Sequence, residues 1–206
     1  MKETQRPLEV YQIESIDYQS AWNLQKNIVA LRKRDALPDT LLLLQHTPVI
    51  TVGRNAGEKN ILHTPNSLAQ LGFDYVRSDR GGDATYHGPG QLVAYPILNL
   101  SPDMKDVPKF VRTLEQVIID VIADYNLIGE RLSGAPGVWL TQPDRKIAAI
   151  GARMTRWVTY HGIALNINTN LSHFNVIVPC GLADKAVTSL QQEKEVMIDF
   201  QTVCTR

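Results

Sequence analysis

Three places in the sequence carry residues whose types and spacing suit chemistry. The densest is Arg80 to Gln91, RGGDATYHGPGQ, where four of the chain's 13 glycines sit beside Arg80, Asp83, Tyr86 and His87. Glycine lets a backbone approach a ligand closely and adopt positive φ, and the N–H groups so exposed grip oxygen-rich groups. Walker A and dinucleotide-fold glycine spacings are both absent, so the segment supports no nucleotide site. A tight turn between strands uses the same composition, and residue type alone does not choose between turn and cradle. The second place is Cys180, in Val178-Pro179-Cys180-Gly181-Leu182. A free cysteine is most often a small buried hydrophobe, but one set between Pro and Gly at a strand exit is displayed rather than packed. Cys204, among polar residues near the end of the chain, reads as incidental.

The third place is Lys146, which opens the apolar run Ile147 to Ile150. A lysine half-buried by such a strand gives up its proton more readily, which suits it to acid/base work. Arg145, Arg153 and Arg156 accompany it in a stretch without an acidic residue. Arg145 and Arg156 read as solvated hairpin charges. The five histidines, at 46, 63, 87, 161 and 173, lack metal-ligand spacing, and no metal site is expected.

These residues need elements to position them. Asp17 to Arg34 has helical spacing, with Asp17 as N-cap and Tyr18, Ala21, Trp22, Ile28, Val29 and Leu31 on one face. Leu41 to Gln45 and Pro48 to Val52 read as strands, or as one strand with a break, because proline donates nothing to a central ladder. Asn66 to Leu71 reads as a short helix capped by Asn66 and closed by Gly72. Leu92 to Leu98 is a buried strand. Lys109 to Asn126 is the clearest helix, with Phe110, Val111, Leu114, Val117, Ile118, Val121, Ile122 and Tyr125 in step. Lys146 to Met154 and Trp157 to Asn168 form a hairpin around Thr155-Arg156. Ile163, Leu165 and Ile167 face one way in its second arm. Phe174 to Val178 reads as a further strand. The fold class is α+β, a single domain over residues 1–206 with a mixed β-sheet flanked by helices.

Composition bounds the rest. The 206 residues include 21 Lys plus Arg and 21 Asp plus Glu, so net charge is zero and a globally basic nucleic-acid binder is excluded. Two cysteines make no disulfide framework and suit a reducing compartment. No apolar run reaches membrane-spanning length, and the N-terminus has no signal-peptide pattern. A cytoplasmic protein with no membrane or nucleic-acid partner is expected.

Together these segments resemble the lipoyl(octanoyl) transferase family. The resemblance is carried by HTPVITVGR (46–54), RGGDATYHGPGQLVAYPILNL (80–100), GVWL (137–140), KIAAIGARMTRWVTYHGIALNIN (146–168), VPCGL (178–182) and Val187-Thr188-Ser189-Leu190. It implies a cofactor-free, monomeric octanoyl-[acyl-carrier-protein]–protein N-octanoyltransferase. Such an enzyme moves an octanoyl or lipoyl group from acyl carrier protein to a lysine of lipoyl domains in oxoacid dehydrogenase complexes and of glycine-cleavage H protein. It implies Cys180 as acyl-thioester nucleophile and Lys146 as its catalytic partner. Substrate-binding residues would be Arg80, Gly81, Gly82, Asp83, Ala84, Thr85, Tyr86 and His87, with Ala149, Ile150, Gly151, Gly162, Ile163 and Ala164. On that basis Tyr86 and His87 line an acyl slot that Gly151, Gly162 and Ala164 leave open. Backbone N–H groups near Cys180 or Gly151 meet the oxyanion, and the cations of 145–156 steer an acidic carrier. The implied fold is that of biotin and lipoate ligase catalytic domains, and an ATP-dependent ligase of that fold is the alternative. Family members continue further past Thr188-Ser189-Leu190 in a helical stretch, whereas this chain ends at Arg206.

Overall fold

Alternation along the central strands decides the architecture. The structure, a computed structural model, describes residues 6–56, 61–101, 104–177 and 186–206. The elements begin with β1 (Leu8–Ile16), α1 (Tyr18–Arg32), β2 (Asp39–His46), β3 (Val49–Val52), α2 (Pro65–Gln70), β4 (Asp74–Arg77) and β5 (Ala84–His87). They continue with β6 (Gln91–Ile97), α3 (Val107–Ala123), β7 (Glu130–Leu132), β8 (Ala135–Leu140), β9 (Arg145–Ile150) and β10 (Arg153–Thr155). The last are β11 (Val158–Tyr160), β12 (Ile163–Asn166), β13 (Ala186–Val187), α4 (Leu190–Lys194) and α5 (Phe200–Cys204). The main sheet runs β1-β2-β6-β12-β9-β8-β7, with β13 joined to β9; β4-β3-β5 and β10-β11 form two smaller sheets. Within the main sheet β1 pairs parallel to β2 and β13 parallel to β9, while the other pairs are antiparallel.

Leu42, Leu44, Val93, Tyr95 and Ala164 point to one face and pack under Ala21, Ile28 and Val29 of α1. Leu43, Leu92, Ile163 and Leu165 point to the other and pack under Phe110, Leu114, Ile118 and Ile122 of α3. This period-two split gives both helices a core, as a sheet covered on both faces requires. A third cluster, with Ile50, Phe73, Ala84, Tyr86 and Phe174, fills the small sheet. No helix among the described residues is long and apolar enough to cross a membrane.

Several expected boundaries shift for physical reasons. Asp17 caps α1, accepting from the Ser20 N–H, but Leu31 is 40% exposed and the buried stripe passes to Arg32. The Arg32 guanidinium donates to Asp39 at 2.7 Å, which makes that burial tolerable. Thr64 rather than Asn66 caps α2, with Pro65 in its first turn. Asp106 caps α3, which starts at Val107, two residues before the expected start, since Pro108 fits the first turn. Residues 41–52 divide between two sheets, with Thr47-Pro48 carrying the chain across. Leu171–Val176 is a 3₁₀ turn rather than a strand, nucleated by Asn170 accepting from the Ser172 N–H; Val178 lies outside the described residues. The expected hairpin is two stacked ladders, β9 with β12 and β10 with β11. Its inner turn centres on Arg156 and Trp157, both at positive φ (50° and 65°), the pattern of a type I′ connection.

Ile122 is fully buried whereas Val117, on the same helix, is 49% exposed. Urea denaturation is expected to show Ile122→Ala losing about 2–5 kcal/mol and Val117→Ala about 0.5 kcal/mol or less. Equal losses would contradict this placement of α3.

Candidate active site

Lys146 owes its direction to one extra residue. On β8, Val138 faces Ala148 and the next residue, Trp139, faces Lys146, so β9 carries Ile147 as a bulge. Ala148 and Ile147 both enter the core under α3. Regular alternation would send Lys146 there too; the bulge turns it to the opposite face. There its ammonium lies 4.7 Å from the Trp139 ring centroid, a cation–π contact. Lys146 is 7% exposed. Gly137, across from the bulge, has φ +126°, and a Cβ there would stand 2.5 Å from the Ala148 carbonyl oxygen. Glu115 of α3 holds that turn, accepting from the Gly137 N–H at 3.1 Å.

The glycine segment is loop and strand together. Residues 80–83 form the loop and 84–87 form β5. Arg80 is buried, and its guanidinium donates to the Thr51 hydroxyl (3.0 Å), the Thr51 carbonyl (2.7 Å) and the Gly81 carbonyl (2.9 Å). Backbone bonds from Gly53, Arg54 and Asn55 to the carbonyls of Asp83, Arg80 and Gly82 pin the loop from outside. Gly81 N–H reaches the Gly151 carbonyl, joining loop to sheet.

Between them lies a narrow cleft, open to solvent on one side, with about 50 Å³ of enclosed space. Lys146 and Pro136 stand on one side of it. Arg80, Gly82, Asp83, Ala84, Thr85 and His87 form a second wall. Ala149, Ile150, Gly151, Gly162, Ile163 and Ala164 form the sheet side. Tyr18, Tyr95 and His161 complete the lining.

Two expected residues stand elsewhere. Tyr86 turns into the small-sheet core, where its hydroxyl is hydrogen-bonded to His173 Nδ1 at 2.9 Å. Gly81 stands behind the wall as the tie to Gly151. Gly151 N–H is committed to the Gly162 carbonyl at 2.8 Å, so it is no oxyanion donor. Arg145 is no solvated charge, since Glu193 takes its guanidinium at 2.6 and 2.7 Å. Cys180 lies outside the described residues. Among the described residues, Val187 of β13 pairs with Lys146.

Sequence reasoning missed the polar chain behind the cleft. His87 Nδ1 meets Gln91 Oε1 at 2.7 Å, and the Gln91 amide donates to Asn166 Oδ1 at 3.0 Å. Asn166 donates to the Thr188 carbonyl, and the Thr188 hydroxyl to Glu193. Gln91 closes the RGGDATYHGPGQ block and Thr188 follows the cysteine segment, so both carried a signal. Glu193 carried none.

Three buried imidazoles border the cleft or brace it. His46 Nδ1 lies 2.8 Å from the Ile16 carbonyl, which only accepts, so Nδ1 carries the proton and Nε2 accepts from the Tyr95 hydroxyl at 2.7 Å. Burial pushes His46 down to about 4. Burial, the His46 ring and Arg80 hold His87 well below the usual histidine range. His161 also falls, because burial outweighs its 2.9 Å contact with Asp79. For Asp79, burial alone would raise the carboxyl, but hydrogen bonds from His161 and Tyr160, with the Arg153 charge, hold it at about 2.

A mixed sheet with helices on both faces and a cleft beside a glycine loop is the fold of lipoate and biotin protein ligases. A chain from the structure of a bipartite lipoate protein ligase and its E2 lipoyl domain from Thermoplasma acidophilum superimposes at TM-score 0.76 and 15% identity, covering 98% of this chain and 80% of that one. The biotin protein ligase of Aquifex aeolicus superimposes at TM-score 0.56 and 14% identity, over 96% and 66%. Residues 17–206 match the lipoyl protein ligase A/B catalytic domain. An octanoyltransferase of Chloroflexus aurantiacus is 49% identical over 189 residues, 91% of this chain and 85% of that protein. One from Solibacter usitatus is 50% identical over 179 residues, 87% and 80%. The chain belongs to the lipoyl protein ligase A/B catalytic-domain family and, within it, to the octanoyltransferases.

The imidazoles give this fold an acid limit. His46 takes up a proton near pH 4 folded and near 6.5 unfolded, so unfolding binds protons between those values and stability rises with pH there. The contribution is complete above about pH 6.5 and disappears as pH falls toward 4. His87 and His161 act in the same sense. Unfolding free energies from urea titrations at pH 7.5 and 5.0 are expected to differ by about 1–2 kcal/mol for His46 alone, with the midpoint lower at pH 5.0. An unchanged midpoint would contradict the buried, neutral histidines.

Proposed function

We propose that this octanoyltransferase works through an acyl-enzyme on Cys180, with Lys146 moving the protons. The single observation supporting the reading is the cleft itself. It gathers Lys146 with the glycine loop and with small residues of β9 and β12, and the strand that pairs with Lys146 follows directly after the Cys180 segment.

An ordinary thiol of pKa about 8.5 is roughly 3% thiolate at pH 7, so a nearby proton acceptor matters. Cys180 Sγ gives its proton to Lys146 and attacks the carbonyl carbon of an octanoyl thioester on acyl carrier protein. The bond from that carbon to the carrier's sulfur breaks, and Lys146 returns the proton to the leaving thiolate. One thioester replaces another, so the step is nearly balanced. A lysine of a lipoyl domain or of H protein then attacks the same carbon. The amide forms, the Cys180 bond breaks, and the proton lost by the incoming amine passes through Lys146 to the departing sulfur. The amide makes this second step strongly downhill, and no ATP is consumed. With Gly151 N–H engaged, backbone donors beside Cys180 are the remaining candidates for the oxyanion. Ala149, Gly151, Gly162 and Ala164 leave room for an unbranched chain, and the walls exclude water from the thioester.

Of the cations the sequence suggested for docking an acidic carrier, Arg156 is joined by others from the α1 side. Arg145 pairs with Glu193 and Arg153 with Asp79. Lys26, Lys33 and Arg34 at the end of α1 instead line a groove with Arg156 of the β10–β11 turn.

Two measurements test the reading. In single-turnover transfer to a lipoyl domain, Cys180→Ser is expected to abolish product. Lys146→Met should slow transfer by about 10²–10⁴-fold, the usual worth of a positioned acid/base, with an unchanged circular dichroism spectrum. Near-normal turnover by either variant would contradict it. Glu substitutions at Lys33, Arg34 and Arg156 should raise the apparent KM for the octanoyl carrier protein and flatten its salt dependence. They should leave the KM for a small octanoyl thioester unchanged. An unaltered carrier KM would remove the groove from docking.

A further inference from the structure

The strands that floor the cleft also measure it, and the measurement rests on the acyl-slot reading above. Across β9, β12 and β6 the rows run Ala148–Leu165–Leu92, Ala149–Ala164–Val93 and Ile150–Ile163–Ala94. Gly151 lies against Gly162 in the next row, and Gly162 backs onto the Ala94 carbonyl and Pro96, the residues on either side of Tyr95. Lys146 therefore stands at one end of the floor and Tyr95 at the other. At ~3.3 Å per residue the span from Lys146 to Gly151 is about 16 Å, somewhat less across the bulge.

The floor between them is built of small side chains, Ala149 and Ala164, and of glycine at 151 and 162. Tyr95 then rises from the same face as Val93 and Ala164. It is not free to swing aside. Its hydroxyl donates to His46 Nε2 at 2.7 Å, and His46 is itself fixed to the Ile16 carbonyl. The Tyr18 ring stands behind, stacked on His87 at 5.9 Å and on His161 at 6.3 Å, with its own hydroxyl donating to Ser78. Tyr95 also meets His161 edge to face at 6.0 Å. The polar ends of both tyrosines are thus engaged with protein groups, so ring surface closes the cleft. Removing Tyr95 from its place would break a buried hydrogen bond and leave the His46 nitrogen without its donor.

We infer that Tyr95, braced by His46 and Tyr18, is the stop that sets the longest acyl chain the cleft accepts. Such an end wall suits an unbranched, apolar chain whose methyl terminus meets ring carbon. An extended eight-carbon acyl chain, about 10 Å, is shorter than that floor, whereas a sixteen-carbon chain, about 20 Å, is longer.

Rates of acyl-enzyme formation from octanoyl, dodecanoyl and hexadecanoyl thioesters of acyl carrier protein, read by intact-protein mass, test this. Wild type should prefer octanoyl. Tyr95→Phe keeps the ring and should keep the preference. Tyr95→Ala should raise the hexadecanoyl-to-octanoyl rate ratio at least 10-fold, and Tyr95→Val, which keeps a strand-forming side chain, serves if the alanine variant does not fold. A wild-type ratio in a folded small-residue variant would overturn the stop while leaving acyl transfer standing. Absence of any acyl adduct on wild type would overturn both.

Discussion

The site depends on the parity of one strand. In an extended chain, side chains alternate between faces, so Lys146 and Ala148 belong on the same side and Lys146 and Ala149 on opposite sides. The sheet needs Ala148 under α3, where the core lies, and the cleft needs Lys146 beside Ala149. Both requirements are met because Ile147 is an extra residue in the ladder, placed in the core next to Ala148. The close backbone approach opposite the bulge falls on Gly137, whose positive φ a side chain would resist. Glu115 holds that glycine from α3, so the main core and the Lys146 strand share one mechanical frame.

A second constraint is electrostatic. Five polar rings, those of Tyr18, His46, His87, Tyr95 and His161, are buried at or behind one end of the cleft. Burial keeps the imidazoles neutral near pH 7, and their nitrogens find partners in Ile16, Gln91, Asp79 and Tyr95. Such a network is rigid because each broken bond leaves a buried polar atom unsatisfied. That rigidity suits the end of the cleft to act as a wall, while Lys146 stands toward the opposite end.

How much of this was legible in the sequence depended on whether the information was local. The periodicity of α1 and α3, the apolar run of β6 and the alternation of β12 pointed to a sheet flanked by helices, because each is written in neighbouring residues. The block RGGDATYHGPGQ marked a loop that approaches a ligand, and Lys146 stood out at the head of an apolar strand. What stayed hidden was set by residues distant in sequence. Tyr86 and His87 are adjacent, but alternation in β5 sends one into the small-sheet core and the other to the cleft. Arg145 looked solvated because its partner, Glu193, lies far along the chain. Tyr18 and Tyr95 carried no local mark of a wall, since only the pairing of β6 with β12 and the packing of α1 bring them together. The fold was legible from pattern; the far end of the cleft was not.

The central claim is that a thioester is formed on Cys180 beside Lys146 without nucleotide activation. It is tested most directly by mixing the protein with octanoyl-loaded acyl carrier protein in the absence of ATP and mapping the acylated residue by peptide mass. The account predicts one octanoyl group per chain, on Cys180, discharged when a lipoyl domain is added. No adduct without ATP, or an adduct on another residue that alone passes to the lipoyl domain, would contradict it.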